Sequence, residues 1–209
     1  MNQLSANALP PDVDTTSRCR LPLPVRDELD DAGRQAYDRA NRPGTLAGLQ
    51  GPAGIQLHSP EVAPHLSALN TYLRLHAGFT PRVRELAILA TAREMDSQFE
   101  WVAHEAEALK AGVPTAVIDA IKYRRDIDDV PEEDALVIAL ARQLWREHKV
   151  SSETFVSLAS RYGPRMLMDL VVLMGTYANT AAMLAVVDMQ LPPGTQALLP
   201  IQARTSTPL

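Results

Sequence analysis

Residues 82–112 read RVRELAILATAREMDSQFEWVAHEAEALKAG, and this stretch decides the fold. Thr80-Pro81 sets up a helix start, with Thr as the cap and Pro in the first turn, and Leu86, Ile88, Leu89 and Ala92 carry the helix forward. Asp96-Ser97 opens a second helix, which Gly112 ends.

The same signals extend outward. Ser59-Pro60-Glu61 predicts another helix start, running to about His76 and broken by Gly78. Upstream, Glu28 to Arg42 reads as a first helix with Leu29, Ala32, Ala36, Tyr37 and Ala40 on one face, ended by Pro43 and Gly44. Leu46 to Leu57 is Gly-rich and predicts a loop. Downstream come a short helix from Pro114 to about Tyr123, an acidic connector from Asp126 to Val130, and a long amphipathic helix from Glu132 to His148. Ser151-Ser152-Glu153 caps a further helix ending near Gly163, and Pro164 opens an apolar one that stops before Pro192-Pro193-Gly194. No segment alternates with β-branched residues, so the expected class is all-α, a helical bundle. The expected organisation is an extended Pro-rich N-terminal arm over 1–25, disordered or laid on a partner subunit, a single helical domain over 26–191, and a loose C-terminal tail over 192–209.

Composition narrows the function. Apolar residues make up 46% of the chain and charged residues 22%, which fits a globular protein. Aromatics are only 5%, so Leu, Ala, Val, Ile and Met must build the core. A net charge of -5 with no basic cluster argues against nucleic acid as a partner. Cys19 is the single cysteine, so no intrachain disulfide can form; the chain is expected in the reducing cytoplasm. The first 25 residues lack the charged and apolar regions of a secretory signal. Leu170 to Val187 is nearly free of charge but carries Thr176, Tyr177, Asn179 and Thr180 between Asp169 and Asp188. That pattern predicts a buried central helix, not a membrane span.

The chemistry gathers in the opening stretch. Ser97, Glu100, Trp101 and His104 fall at i, i+3, i+4 and i+7, on one broad face of a helix. A carboxylate one turn before an imidazole can orient it and favour its charged form, and an imidazole is the usual general acid or base near neutrality. If the two helices form a hairpin, Glu85 can face His104 as well, giving two carboxylates around one imidazole. The bland alternative is a solvated surface pair contributing about 0.2–0.5 kcal/mol. Three ligands, Glu85, Glu100 and His104, are also thinkable around a metal, but one imidazole with carboxylates is a loose signal and no metal is expected.

These residues carry a resemblance. The RELAILATAR helix, the helix ending HEAEALKAGV, the upstream LHSPEVAPHL and the late DLVVLMGTYANTAAML together resemble the carboxymuconolactone decarboxylase / alkylhydroperoxidase D-like superfamily over roughly residues 25–190. The peroxidase branch of that superfamily uses a Glu, a CxxC pair and a His. Here Ser97 and Glu100 stand at the cysteine positions and Glu85 at the distant Glu, so disulfide-based peroxidase chemistry is excluded. The decarboxylase branch also lacks the cysteines and has a Glu four residues before the His, as in Glu100 and His104, with an Arg where Arg84 stands. Small decarboxylases lack the Glu132 to Val187 extension and an acid at position 85.

The resemblance implies a cofactor-free lyase acting on a small carboxylated lactone or ketoacid. His104 would protonate carbon, Glu100 would orient it, and Glu85 would accept or relay the proton. Arg84 would anchor a carboxylate and Trp101 would exclude water, both as substrate-binding residues. An isomerase or hydratase using the same groups, and a non-catalytic oligomeric binding protein, are the rival expectations. The apolar helix and the arm point to a homo-oligomer, whether dimer, trimer or hexamer.

Overall fold

The computed structural model describes residues 9–42 and 47–200. No strand occurs among them, and the chain is all-α. In order the helices are α1 (Asp31–Ala40), α2 (Pro52–Gln56), α3 (Ala63–Leu75), α4 (Pro81–Glu94), α5 (Gln98–Lys110), α6 (Thr115–Lys122), α7 (Glu132–Arg142) and α8 (Ser152–Val186).

Helix α4 is the hub. The Thr80 hydroxyl accepts from the Val83 N–H, Pro81 occupies the first turn, and the residues from Glu85 to Arg93 are all buried. A helix apolar on nearly every side must be surrounded, and α5, α7 and α8 pack around it. Leu86, Ile88 and Leu89 are fully enclosed there. Burial of each such side chain stabilises the fold by about 1.5–3 kcal/mol relative to exposure. Asp96, at φ 50, turns the chain back, so α5 returns antiparallel along α4 as a hairpin.

Several boundaries differ from the expectations. The expected start at Ser59-Pro60-Glu61 is a turn, in which the Ser59 carbonyl accepts from the N–H groups of Val62 and Ala63. Helix α3 begins four residues after Ser59, with Pro64 in its first turn. The Gly-rich loop contains a 3-10 turn (Gly48–Gln50) and α2. The first helix is shorter than expected, because Asp30 caps it by accepting from the Gly33 N–H; its expected stop at Pro43-Gly44 and the start of that loop lie outside the described residues. The long helix after Glu132 gives way to a π-helical turn, Gln143–Glu147, which His148 closes with φ 55. The two late helices form one run, α8, broken at Gly163, whose φ of 70 and ψ of 164 suit glycine.

The arm rests on its own chain. Over residues 9–25 it forms turns, the Arg20 N–H donates to the Val187 carbonyl, and the Arg18 guanidinium grips the Leu191 carbonyl. Cys19 is buried there with Ile55, Phe99, Leu184 and Val187 as a second, smaller core. The described part of the tail is held too. Leu199 enters the main core, and its N–H donates to the Gln98 Oε1 at 3.1 Å.

By length and composition α8 could cross a bilayer. One face of it, with Leu167, Leu170, Leu173, Met174 and Tyr177, packs into the main core.

Candidate active site

The hairpin brings Glu85 to His104. Glu85 leaves α4 fully buried, and its Oε2 lies 2.7 Å from the His104 Nδ1. On α5, Glu100 sits one turn before His104, with its Oε2 3.9 Å from the Nε2. The two carboxyl groups therefore flank opposite nitrogens of one imidazole. They cannot close with it on a single ion, and no trio of ligand side chains among the described residues is placed to hold a metal.

Two arginines fix Glu85. The Arg84 Nε donates to its Oε1 at 3.0 Å, and the Arg74 Nη2 stands 3.6 Å from the same oxygen. Arg84 also donates from Nη1 to the Arg74 carbonyl at 2.9 Å, tying the end of α3 to α4. Arg74 in turn donates from Nη1 to the Tyr177 hydroxyl at 2.7 Å, and the Tyr177 ring meets His104 edge-on at 5.2 Å between centroids.

These contacts set the two carboxyls apart. Burial raises the Glu85 pKa, but the hydrogen bond and charge of His104 and the arginines outweigh it, so Glu85 lies below its ordinary value. Burial pushes the Glu100 carboxyl up, opposed only by the more distant charges of His104 and Arg74. Burial also pushes the Tyr177 hydroxyl up to about 12, against the pull of Arg74. An ionised Glu85 can only accept, so the His104 Nδ1 is the donor in that bond. Nε2 is left facing Glu100.

Glu100, His104, Arg74 and Tyr177 all line a cavity of about 550 Å³ between α2, α3, α5 and α8. Its remaining walls mix Leu66 and Phe99 with Gln56, Ser67, Asn70, Asn179 and Thr180. That volume and mixture suit one small molecule.

Two expected substrate-binding residues do not line this cavity. Trp101 is fully buried in the main core, where its indole N–H donates to Glu105 and the Lys122 ammonium sits 5.8 Å from the ring centroid. The reason is angular. Adjacent helical residues are about 100° apart, so the face carrying Glu100 and Trp101 points to the cavity at one edge and to the core at the other. Arg84 lies behind the site, with its guanidinium turned to Glu85 and the Arg74 carbonyl. Arg74 and Tyr177 are the residues that sequence reasoning missed. Arg74 reads as an ordinary cation at a helix C-terminus, and Tyr177 as one polar tip in an apolar helix.

Residues 60–142 match a family model described as the carboxymuconolactone decarboxylase family. No curated protein and no solved structure matches the chain. The matched span runs from just before α3 to the end of α7 and includes Arg74, Glu85, Glu100 and His104, whereas α8 with Tyr177 lies beyond it. Over that span, which takes in the α4–α5 hairpin but less than half of the chain, the protein is similar to the carboxymuconolactone decarboxylase family, and it carries no cysteine pair for the redox motif.

Proposed function

We propose that this chain is a cofactor-free acid–base enzyme of the cytoplasm, a lyase of the decarboxylase type that takes a small carboxylated lactone or oxo acid. The observation that carries the reading is His104 on the wall of a cavity of about 550 Å³, held between Glu85, whose pKa its partners lower, and Glu100, whose pKa burial raises. Compared with the roles the resemblance implies, the two acids exchange tasks. Glu85 orients His104, and Glu100 is the acid that faces the substrate.

The reaction needs little else. The bond between the carboxylate carbon and its neighbour breaks, carbon dioxide leaves, and the electron pair remains on the substrate as an enolate. The Glu100 carboxyl gives its proton to carbon, and His104 returns a proton from water to Glu100. A group of this kind contributes roughly 10²–10⁴-fold.

The test is turnover of a panel of small lactones and oxo acids in deuterated water, followed by NMR. A substrate that loses carbon dioxide and gains one deuterium, with His104→Gln slower by at least ~100-fold, is the expected result. A fully active His104→Gln enzyme removes His104 from the mechanism.

We also propose that the chain assembles as a homo-oligomer. Met168, Val172 and Val186 stand exposed on α8, in line with Gly175, Asn179 and Ala182 at the three-and-four spacing of a helix–helix seam. Asn179 also lines the cavity, so a second copy there would cover its rim. Light scattering should return a multiple of 22.9 kDa; a monomer mass overturns the proposal.

A further inference from the structure

One pair of groups in the cavity has no part in the proton transfers. Arg74 donates one side-chain hydrogen bond from Nη1, to the Tyr177 hydroxyl oxygen, and its Nη2 keeps a longer ion-pair contact of 3.6 Å with Glu85 Oε1, so its fork is not saturated by the described residues. Tyr177 receives that bond on oxygen, and its own hydrogen has no acceptor among the described residues. Both line the cavity beside Glu100 and His104.

We propose that Arg74 and Tyr177 form an oxyanion subsite, which binds the anionic oxygen of an enolate or phenolate next to His104. The two donors come from different helices, α3 and α8, and each is fixed before any ligand arrives. Arg84 holds the Arg74 carbonyl, and Tyr177 is buried against the His104 ring. Donors set in place around a developing oxyanion stabilise it without reorganisation. Tyr177 keeps its proton at neutral pH, as a donor must.

The chemistry favours an enolate oxygen over a departing carboxylate. An arginine that grips the carboxylate about to leave stabilises the ground state and opposes the neutralisation that carbon dioxide release requires. A pair that holds the carbonyl oxygen strengthens its bonds as charge arrives there. The identity of the oxyanion as a reaction intermediate rests on the lyase reading; the binding of the anion does not. The ligand class is then a planar molecule small enough for the cavity, with an oxygen that turns anionic in conjugation with carbon.

The probe is 4-nitrophenol, whose phenolate absorbs apart from the phenol. It is titrated with the full-length protein at a pH where the free probe is mostly protonated. Growth of the phenolate band is expected, with apparent affinity falling at least ~tenfold in Arg74→Gln and in Tyr177→Phe. Circular dichroism melts of each variant verify folding, and Arg74→Lys, which keeps the charge but loses the fork, should bind between wild type and Arg74→Gln. No phenolate band with wild type, or equal bands in folded Arg74→Gln and Tyr177→Phe, overturns the subsite. Tighter binding of benzoate than of the phenolate, independent of Tyr177, also overturns it, in favour of a carboxylate anchor. Phenolate binding in a protein whose His104→Gln form turns over normally leaves the subsite standing and removes the acid–base reading alone.

Discussion

Helix α4 carries buried charge toward both of its ends, and the two clusters are built differently. At the C-terminal end, Arg93 bonds to Asp96 and to the Lys122 carbonyl, Arg124 donates to Asp96 at 2.9 Å and to the Arg93 carbonyl at 3.0 Å, and Arg146 takes both oxygens of Glu94. Each carboxylate there meets a cation directly, and none of these residues lines the cavity. Nearer the N-terminal end, Glu85 is equally well met, but Glu100 lies across a gap from His104 and stays above its ordinary pKa. Buried charge alone therefore does not mark a site. An uneven distribution of partners, turned toward a cavity, does.

The sharpest way to break this contrast is Glu85→Gln. An amide at that position can present its NH₂ group to the His104 Nδ1, which favours the wrong tautomer, and it discards the charge that stabilises an imidazolium. Turnover on whichever substrate the panel identifies should fall by at least ~100-fold. The charge is also lost from beside Arg84 and Arg74, so the melting temperature at neutral pH should drop as well. A variant with unchanged turnover would reduce Glu85 to the same structural role as Glu94.

The opposite end sharpens the contrast from its own side. Glu94→Ala leaves Arg146 and Arg124 without that carboxylate. Removing one partner of a fully buried pair costs about 3–5 kcal/mol, but Arg146 is 40% exposed and water replaces part of the loss. A penalty of roughly 1–2 kcal/mol is expected, a fall of about 2–8 °C in melting temperature for a chain of this size. Turnover per folded molecule should stay at the wild-type level. A specific loss of activity at full folding would show that the two clusters communicate along α4.

The sequence made some of this legible and hid the rest for physical reasons. The α4–α5 hairpin is written locally, in the Thr80-Pro81 start, the apolar run and the Asp96-Ser97 break, and once the hairpin exists Glu85 and His104 are neighbours. Residue types that carry no local signal are the ones that went unseen. Arg74 and Tyr177 are 103 positions apart and meet only because α3 and α8 both pack beside α4 and α5. Arg84 and Trp101 have the right chemistry at the wrong angle. Leu199 sits in a Pro- and Gln-rich tail whose composition says nothing of its anchor on Gln98.

The smallest effect on stability should come from Glu100→Gln, and it tests the feature that separates the two clusters. For a carboxyl whose folded pKa is raised, folded and unfolded chains are both protonated below the ordinary value of 4.5. As pH rises past it, the unfolded chain ionises first and gains free energy that the folded chain does not, so stability is lost up to the raised pKa and stays lost above it. Gln removes that penalty and keeps the shape. Glu100→Gln should therefore melt above wild type at pH 7 and match it near pH 4. Glu85 has the reverse sign. Its pKa is lowered, so its contribution is present above 4.5 and fades as acid carries the pH through the folded value. Two carboxyls on one imidazole should thus give melting shifts of opposite direction at pH 7, both shrinking in acid. If Glu100→Gln melts below wild type at pH 7, Glu100 is a stabilising partner of His104, and the site is as fully paired as the ion network at the far end of α4.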